Sequence, residues 1–253
     1  MPTRFDMVFI TTSALMVAPL AIAETPVWGG DGSVSASMST GNTETTDVGI
    51  AVDLDRDSGT WNVGFNATAD YGETDGIETK NRLFFGSNLD RQINDRLFGF
   101  GSVSWEADNF SGFESRTFVG GGLGYEVFAR EGLGWVVRGG PGFKIDEIEA
   151  IVDTTVIPEV IIEPARTEES ISAIAESEFN LSFNDSVGMT NDSKAIYAET
   201  STQFSNIAAL QAALTDTLSA RVSFEARYDT EPPEGFENTD TITRFSIVYK
   251  FGE

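Results

Sequence analysis

The sequence predicts an all-β protein: a single antiparallel transmembrane β-barrel of about 12 strands, with short periplasmic turns and longer extracellular loops. Three observations carry that expectation. An export leader opens the chain, segments that alternate apolar with polar residues fill most of the remainder, and the last segment closes on Phe245, Ile247, Tyr249 and Phe251. Side chains of an extended strand alternate between two faces, so those four aromatic and branched residues share one face. Such an ending is the signal by which a chain engages the barrel-assembly machinery.

The leader comes first. Residues 1–23 carry Arg4, an apolar run from Met7 to Ala21 and the small-residue site Ala21-Ile22-Ala23 before Glu24. That is the layout of a cleaved signal peptide. Thr11, Thr12, Ser13 and Pro19 leave the run short of the roughly 20 apolar residues of a spanning helix. Residues 24–253 are then one domain, and glycine or polar residues interrupt every later hydrophobic stretch, so any crossing of a membrane is by strands.

Twelve alternating segments come next, in order 32–40, 46–55, 60–71, 78–90, 96–106, 115–128, 133–146, 172–183, 187–199, 204–214, 218–229 and 239–251. The third sets Trp61, Val63, Phe65, Ala67, Ala69 and Tyr71 against Asn62, Gly64, Asn66, Thr68 and Asp70. In the eleventh, Ala220, Val222, Phe224, Ala226 and Tyr228 alternate with Arg221, Ser223, Glu225, Arg227 and Asp229. A soluble sandwich alternates as well, but it puts charge outside and buries the apolar side. A membrane barrel turns the apolar side to lipid and lines its interior with charge.

Connection lengths favour the barrel. Even-to-odd links are tight, at 56–59, 92–95, 129–132, 184–186 and 215–217, whereas most odd-to-even links are longer, at 41–45, 72–77, 107–114, 148–170 and 230–238. Short turns on one rim and long loops on the other is the outer-membrane arrangement. Trp28, Trp61, Tyr71, Trp105, Phe110, Phe113, Tyr125, Phe128 and Trp135 fall near segment ends, where girdle aromatics sit. Glycines 120–122, 124, 139, 140 and 142 mark bends or close packing on large neighbours, because no phosphate-loop lysine or helix comes after them.

Composition excludes much chemistry. With no cysteine and no histidine, disulfides, thiolate catalysis, His-based triads and ordinary zinc sites are ruled out. Forty acids against 16 bases give a net charge of −24, which repels nucleic acid and favours cations. No catalytic residue and no cofactor is expected. Lumen or ion-pair candidates are Arg221, Glu225 and Arg227, with Asp108, Glu114 and Arg116 forming an ion-pair latch within one loop. An inserted acidic extracellular loop, 148–169, brings Asp146, Glu147, Glu149 and Asp153 together as a calcium or magnesium candidate, since hard cations take carboxylate oxygens.

Trp28 with S-V-S-A-S-M-S-T-G-N-T-E-T-T-D at 33–47, D-N-F-S-G-F-E-S-R at 108–116 leading into G-G-G-L-G-Y at 120–125, R-Y-D-T-E-P-P at 227–233, T-D-T at 239–241 and V-Y-K-F at 248–251 span nearly the whole chain after the leader. In order and spacing they resemble the salt-induced, YdiY-like outer-membrane proteins, a barrel family of uncharacterised function. The chain departs from that pattern in its 148–169 insertion and in running on through Gly252 and Glu253 past the usual terminal aromatic. The resemblance implies location in the cell outer membrane. Its partners would be outer-membrane lipid and lipopolysaccharide, with periplasmic chaperones and the barrel-assembly machinery during export.

These readings leave three functional expectations. One is a non-enzymatic barrel contributing to envelope and salt-stress adaptation, its acidic loops bridging divalent ions to lipopolysaccharide. Another is a narrow cation-preferring channel lined by Asp53, Asp70, Asp90, Glu106, Glu225 and Asp229. The third is a soluble, acidic periplasmic β-sandwich acting as a binding module.

Overall fold

The computed structural model describes residues 28–40, 45–153 and 160–252. The expected signal peptide, residues 41–44 of the first predicted loop and the middle of the insertion lie outside them. Among the described residues fourteen strands succeed one another: β1 (Trp28–Thr40), β2 (Thr45–Asp57), β3 (Trp61–Thr74), β4 (Ile77–Gln92), β5 (Leu97–Asp108), β6 (Phe113–Arg130), β7 (Leu133–Ile148), β8 (Ile151–Asp153), β9 (Val160–Glu163), β10 (Arg166–Asn184), β11 (Val187–Ala198), β12 (Gln203–Ala213), β13 (Leu218–Asp229) and β14 (Thr239–Phe251). β8 and β9 form a separate two-stranded hairpin, and the other twelve close into an antiparallel barrel in chain order. Closure comes from β1 against β14, in register from Gly30↔Phe251 to Thr40↔Thr241. A closed ladder leaves no unpaired edge, which is what lets strands reside in lipid.

All twelve predicted segments are barrel strands, and β13 and β14 carry the predicted bounds. Several others outrun the prediction at the loop rim. The expected 72–77 loop is a two-residue turn, Asp75-Gly76, with φ of 53° and 78°. This is the type I′ hairpin signal, and it lets β3 and β4 stay paired to their tips. The described part of the 148–169 insertion is likewise mostly strand: it holds the end of β7, the start of β10 and the β8–β9 hairpin.

The period of two decides which residues meet lipid. On β13, Val222, Phe224 and Tyr228 are 44–48% exposed on the outer wall, whereas Arg221 is only 5% exposed, facing inward. Terminal aromatics form contacts along the short-turn rim: Trp28–Phe65 at 6.0 Å and Phe128–Trp135 at 5.9 Å between ring centroids. Arg56, Arg91 and Arg130 lie over Trp28, Trp61 and Phe128 at 5.3–5.6 Å. Phe110 and Phe113 do not join a girdle. A bulge between Phe113 and Ser115 turns Phe113 inward, and both rings line the loop-side mouth.

Part of the interior is packed solid. Phe98, Phe100, Phe118, Ile174 and Ile196 form an apolar cluster inside the barrel. The glycines of β6 and β7 make the room for it. The Phe98 ring covers Gly124, and the Phe118 ring covers Gly120 and Gly142, so a side chain at any of the three would collide with an aromatic ring.

Candidate functional site: a charged lumen

A cavity of about 430 Å³ occupies the rest of the interior. Its lining mixes Ser, Asn, Gln and charged side chains with inward apolar ones such as Phe100, Phe118 and Ile196, while outward positions such as Val222 and Phe224 are apolar. Eleven acidic and nine basic side chains line it. Most of the net charge of −24 is therefore carried elsewhere on the chain.

The densest charge lies in the loop-side half. Asp70 on β3 is wholly buried between Arg82 of β4, at 3.6 Å, and Arg244 of β14. Arg244 reaches it over two intervening strands, and Gly49 makes this geometry possible: a Cβ there would run into Asp70, Ser35 and the Arg244 guanidinium. Arg82 also donates from Nε to Glu106 on β5 at 2.7 Å. Glu106 is in turn paired at 2.9 Å with Arg227 of β13, six strands away around the barrel in either direction. Beside it Arg116 of β6 donates to Asp229 of β13 at 2.6 Å. Two ion pairs thus tie opposite walls together across the lumen.

Deeper in, Arg138 joins Asp90 at 3.2 Å to Glu178 at 2.5 Å and lies 5.2 Å over the Phe98 ring. Near the short-turn rim, Arg221 donates to Gln211 at 2.8 Å and stands 3.7 Å from Asp31. Asp31 and Asp53 are paired in register on β1 and β2, and both are buried. Each guanidinium sits among carboxylates, the arrangement a buried arginine needs in order to stay charged without water.

The sequence candidates separate cleanly. Arg221, Glu225 and Arg227 all face the lumen, with Arg227 donating to Glu225 on its own strand at 2.5 Å. All six acids expected along a channel point inward or are buried, but bases interleave with them. The expected Asp108–Glu114–Arg116 latch does not form. Asp108 pairs with Lys80 at 3.4 Å, Arg116 pairs with Asp229, and Glu114 is an exposed bulge residue. Nor do the insertion acids converge: Asp146 faces inward against Lys144 at 2.9 Å, whereas Glu147 and Glu149 are exposed and Glu147 accepts a bond from Ser115. The Asp153 side chain lies outside the described residues. Among the described residues no three carboxylates sit close enough to hold a metal ion. Phe245, Ile247 and Tyr249 stand more than half exposed on the outer wall and Phe251 37% exposed.

Sequence reasoning passed over Lys80, Arg82, Arg138, Lys144 and Arg244, which complete this network. Their signal was readable: each sits in phase with the inward acids of its own strand, as Arg138 does with Lys144 and Asp146.

With that geometry in hand, comparison with known proteins decides the family. A family profile described as "Protein of unknown function, DUF481" matches residues 32–251. The chain belongs to that family. Among solved structures, the DUF481 barrel is similar to the NanC porin, with a TM-score of 0.55 at 10% identity over 87% of this chain and 100% of that one. It is also similar to the translocator domain of the autotransporter NalP from Neisseria meningitidis, with a TM-score of 0.55 at 10% identity over 90% and 89%. At such identities the likeness is one of fold, that of an outer-membrane barrel. No curated protein matches the chain.

Proposed function

We propose that this protein is a non-enzymatic outer-membrane barrel whose lumen is a narrow, cation-preferring route for small ions. The observation that carries this reading is the interior itself. A barrel with a purely structural role can fill its inside with packed apolar side chains, as the Phe98 cluster does locally. Here a cavity of about 430 Å³ is kept open beside that cluster, and charged side chains are part of its lining. Acids exceed bases along the lining, so the field favours cations over anions. The similarity to a porin fold agrees with this reading.

On this reading the short-turn rim faces the periplasm and the loop rim faces outward. The chain is exported on a cleaved leader and inserted by the barrel-assembly machinery after handover from periplasmic chaperones. Liposome swelling in 1 M salt tests the route: proteoliposomes holding the folded protein should admit small cations with their counter-ions and exclude larger solutes. Liposomes as tight as protein-free controls would overturn it.

A second reading has its own support in the cross-lumen ion pairs and the exposed acids Glu147 and Glu149 at the loop rim. A barrel tied shut is an envelope element, and its outer carboxylates can share calcium or magnesium with lipopolysaccharide phosphates. This is the form that salt-stress adaptation of the salt-induced, YdiY-like type would take. Loss of outer-membrane integrity in a deletion strain, rescued by the natural chain but not by a chain carrying Glu147→Gln and Glu149→Gln, would favour this reading over transport.

A further inference from the structure

We propose that the loop-side mouth is a gate, held shut by the Arg227–Glu106 and Arg116–Asp229 pairs beneath a contact between two loops from opposite walls. The proposal rests on the lumen being an ion route and adds how that route is regulated. The two loops are the β5–β6 turn, residues 109–112, and the β13–β14 loop, residues 230–238. They approach so closely that a Cβ on Gly112 would lie 2.6 Å from the Phe236 ring. Gly112 has φ of 76°, so glycine is required there twice over, for the backbone and for the ring.

The β13–β14 loop is tied within itself. Asn238 donates to the carbonyl oxygens of Asp229 and Thr230, tying the base of the loop, and Pro233 accepts from the Phe236 N–H. On one side the loop is anchored to its neighbour by Thr230 N–H to the Thr202 carbonyl at 3.0 Å and Thr202 N–H to the Thr230 hydroxyl at 2.8 Å. On the far side the Phe236 ring lies against Gly112, and the Asp229 carboxylate at the loop's base accepts from Arg116.

These ties are not needed to hold the barrel together. The wall is already closed by the continuous β1–β14 ladder, so bonds between β5 and β13, or β6 and β13, alter only the cross-section of the mouth. They are also wet enough to respond to salt. Arg227 and Glu106 are 24% and 25% exposed, and Arg116 and Asp229 are 22% and 13%, whereas the Arg82–Asp70 pair is shielded at 8% and 0%. Raising ionic strength from 0.1 M to 1 M shortens the screening length from about 10 Å to about 3 Å, which weakens these two partly buried pairs more than the shielded one.

Single-channel recording of the full, refolded chain in planar bilayers tests the gate, with folding verified by heat-dependent gel mobility. In 0.1 M KCl the natural protein should be mostly closed, and its open probability should climb in 1 M KCl. Arg227→Gln should raise open probability by about tenfold in 0.1 M KCl, the scale of one charged hydrogen bond, and should flatten the salt dependence. Asp229→Asn should shift it in the same direction and serves if Arg227→Gln does not fold. Natural and variant proteins that conduct with equal open probability at both salts overturn the gate and leave the channel standing. Absence of current from every folded form at either salt overturns both.

Discussion

Strands β6 and β13 face each other across the barrel and solve opposite problems. Inward positions of β6 run Arg116, Phe118, Gly120, Gly122, Gly124 and Glu126, three of them without side chains; those of β13 run Ser219, Arg221, Ser223, Glu225, Arg227 and Asp229. Bare backbone on the β6 wall admits the Phe98 and Phe118 rings, and long charged groups on β13 reach out to meet Glu106 and Arg116 on the wall opposite. The shape of the lumen is therefore set by pairs of walls. A residue that is harmless on one wall blocks or empties the space on the other.

Breaking the packed side should have the largest effect. Phe98 is 1% exposed and covers Gly124, so Phe98→Ala removes a fully buried ring and should cost about 3–5 kcal/mol, read as an earlier midpoint in urea unfolding from lipid. Next comes the inside–outside distinction on β13. Val222→Arg puts a charge on the lipid face and should cost about 2–4 kcal/mol, whereas Ser223→Arg, one residue away, faces the lumen and should leave stability nearly unchanged while moving selectivity towards anions. Equal unfolding midpoints for those two variants would mean that the wall is assigned the wrong way round.

Gly122→Ala sharpens the comparison at the β6–β7 seam. Its new Cβ would meet the Gly139 carbonyl oxygen and the Gly140 Cα, neither of which can swing away, so a loss of about 1–3 kcal/mol is expected. The smallest effect is at the loop rim, where Gly76→Ala has open space but a φ of 78°. A cost of about 1 kcal/mol, with conductance unchanged, is the expected result.

The range of each interaction governs how legible it was. The alternation that places Val222 outside and Arg221 inside is local, and β13 could be bounded to the residue from it. The strand count and the closing strand came from the same signal. Partners in the lumen are another matter: Asp70 and Arg244 are 174 residues apart, Arg227 and Glu106 are 121 apart, and no local pattern links them. Sequence proximity misled where it was trusted. Asp108, Glu114 and Arg116 look like neighbours, but a bulge and the inward–outward alternation send them to three different environments. Asp75-Gly76 was legible and was passed over, because a loop was expected where turn chemistry already specified a hairpin.

The most direct measurement of the central claim is the zero-current potential of the refolded chain in a planar bilayer separating two KCl concentrations. A lumen with acids in excess should set that potential on the potassium side of zero, and Ser223→Arg should pull it back towards chloride. A potential on the chloride side in the natural protein would contradict the cation preference, and a folded barrel that carries no current would contradict the ion route altogether.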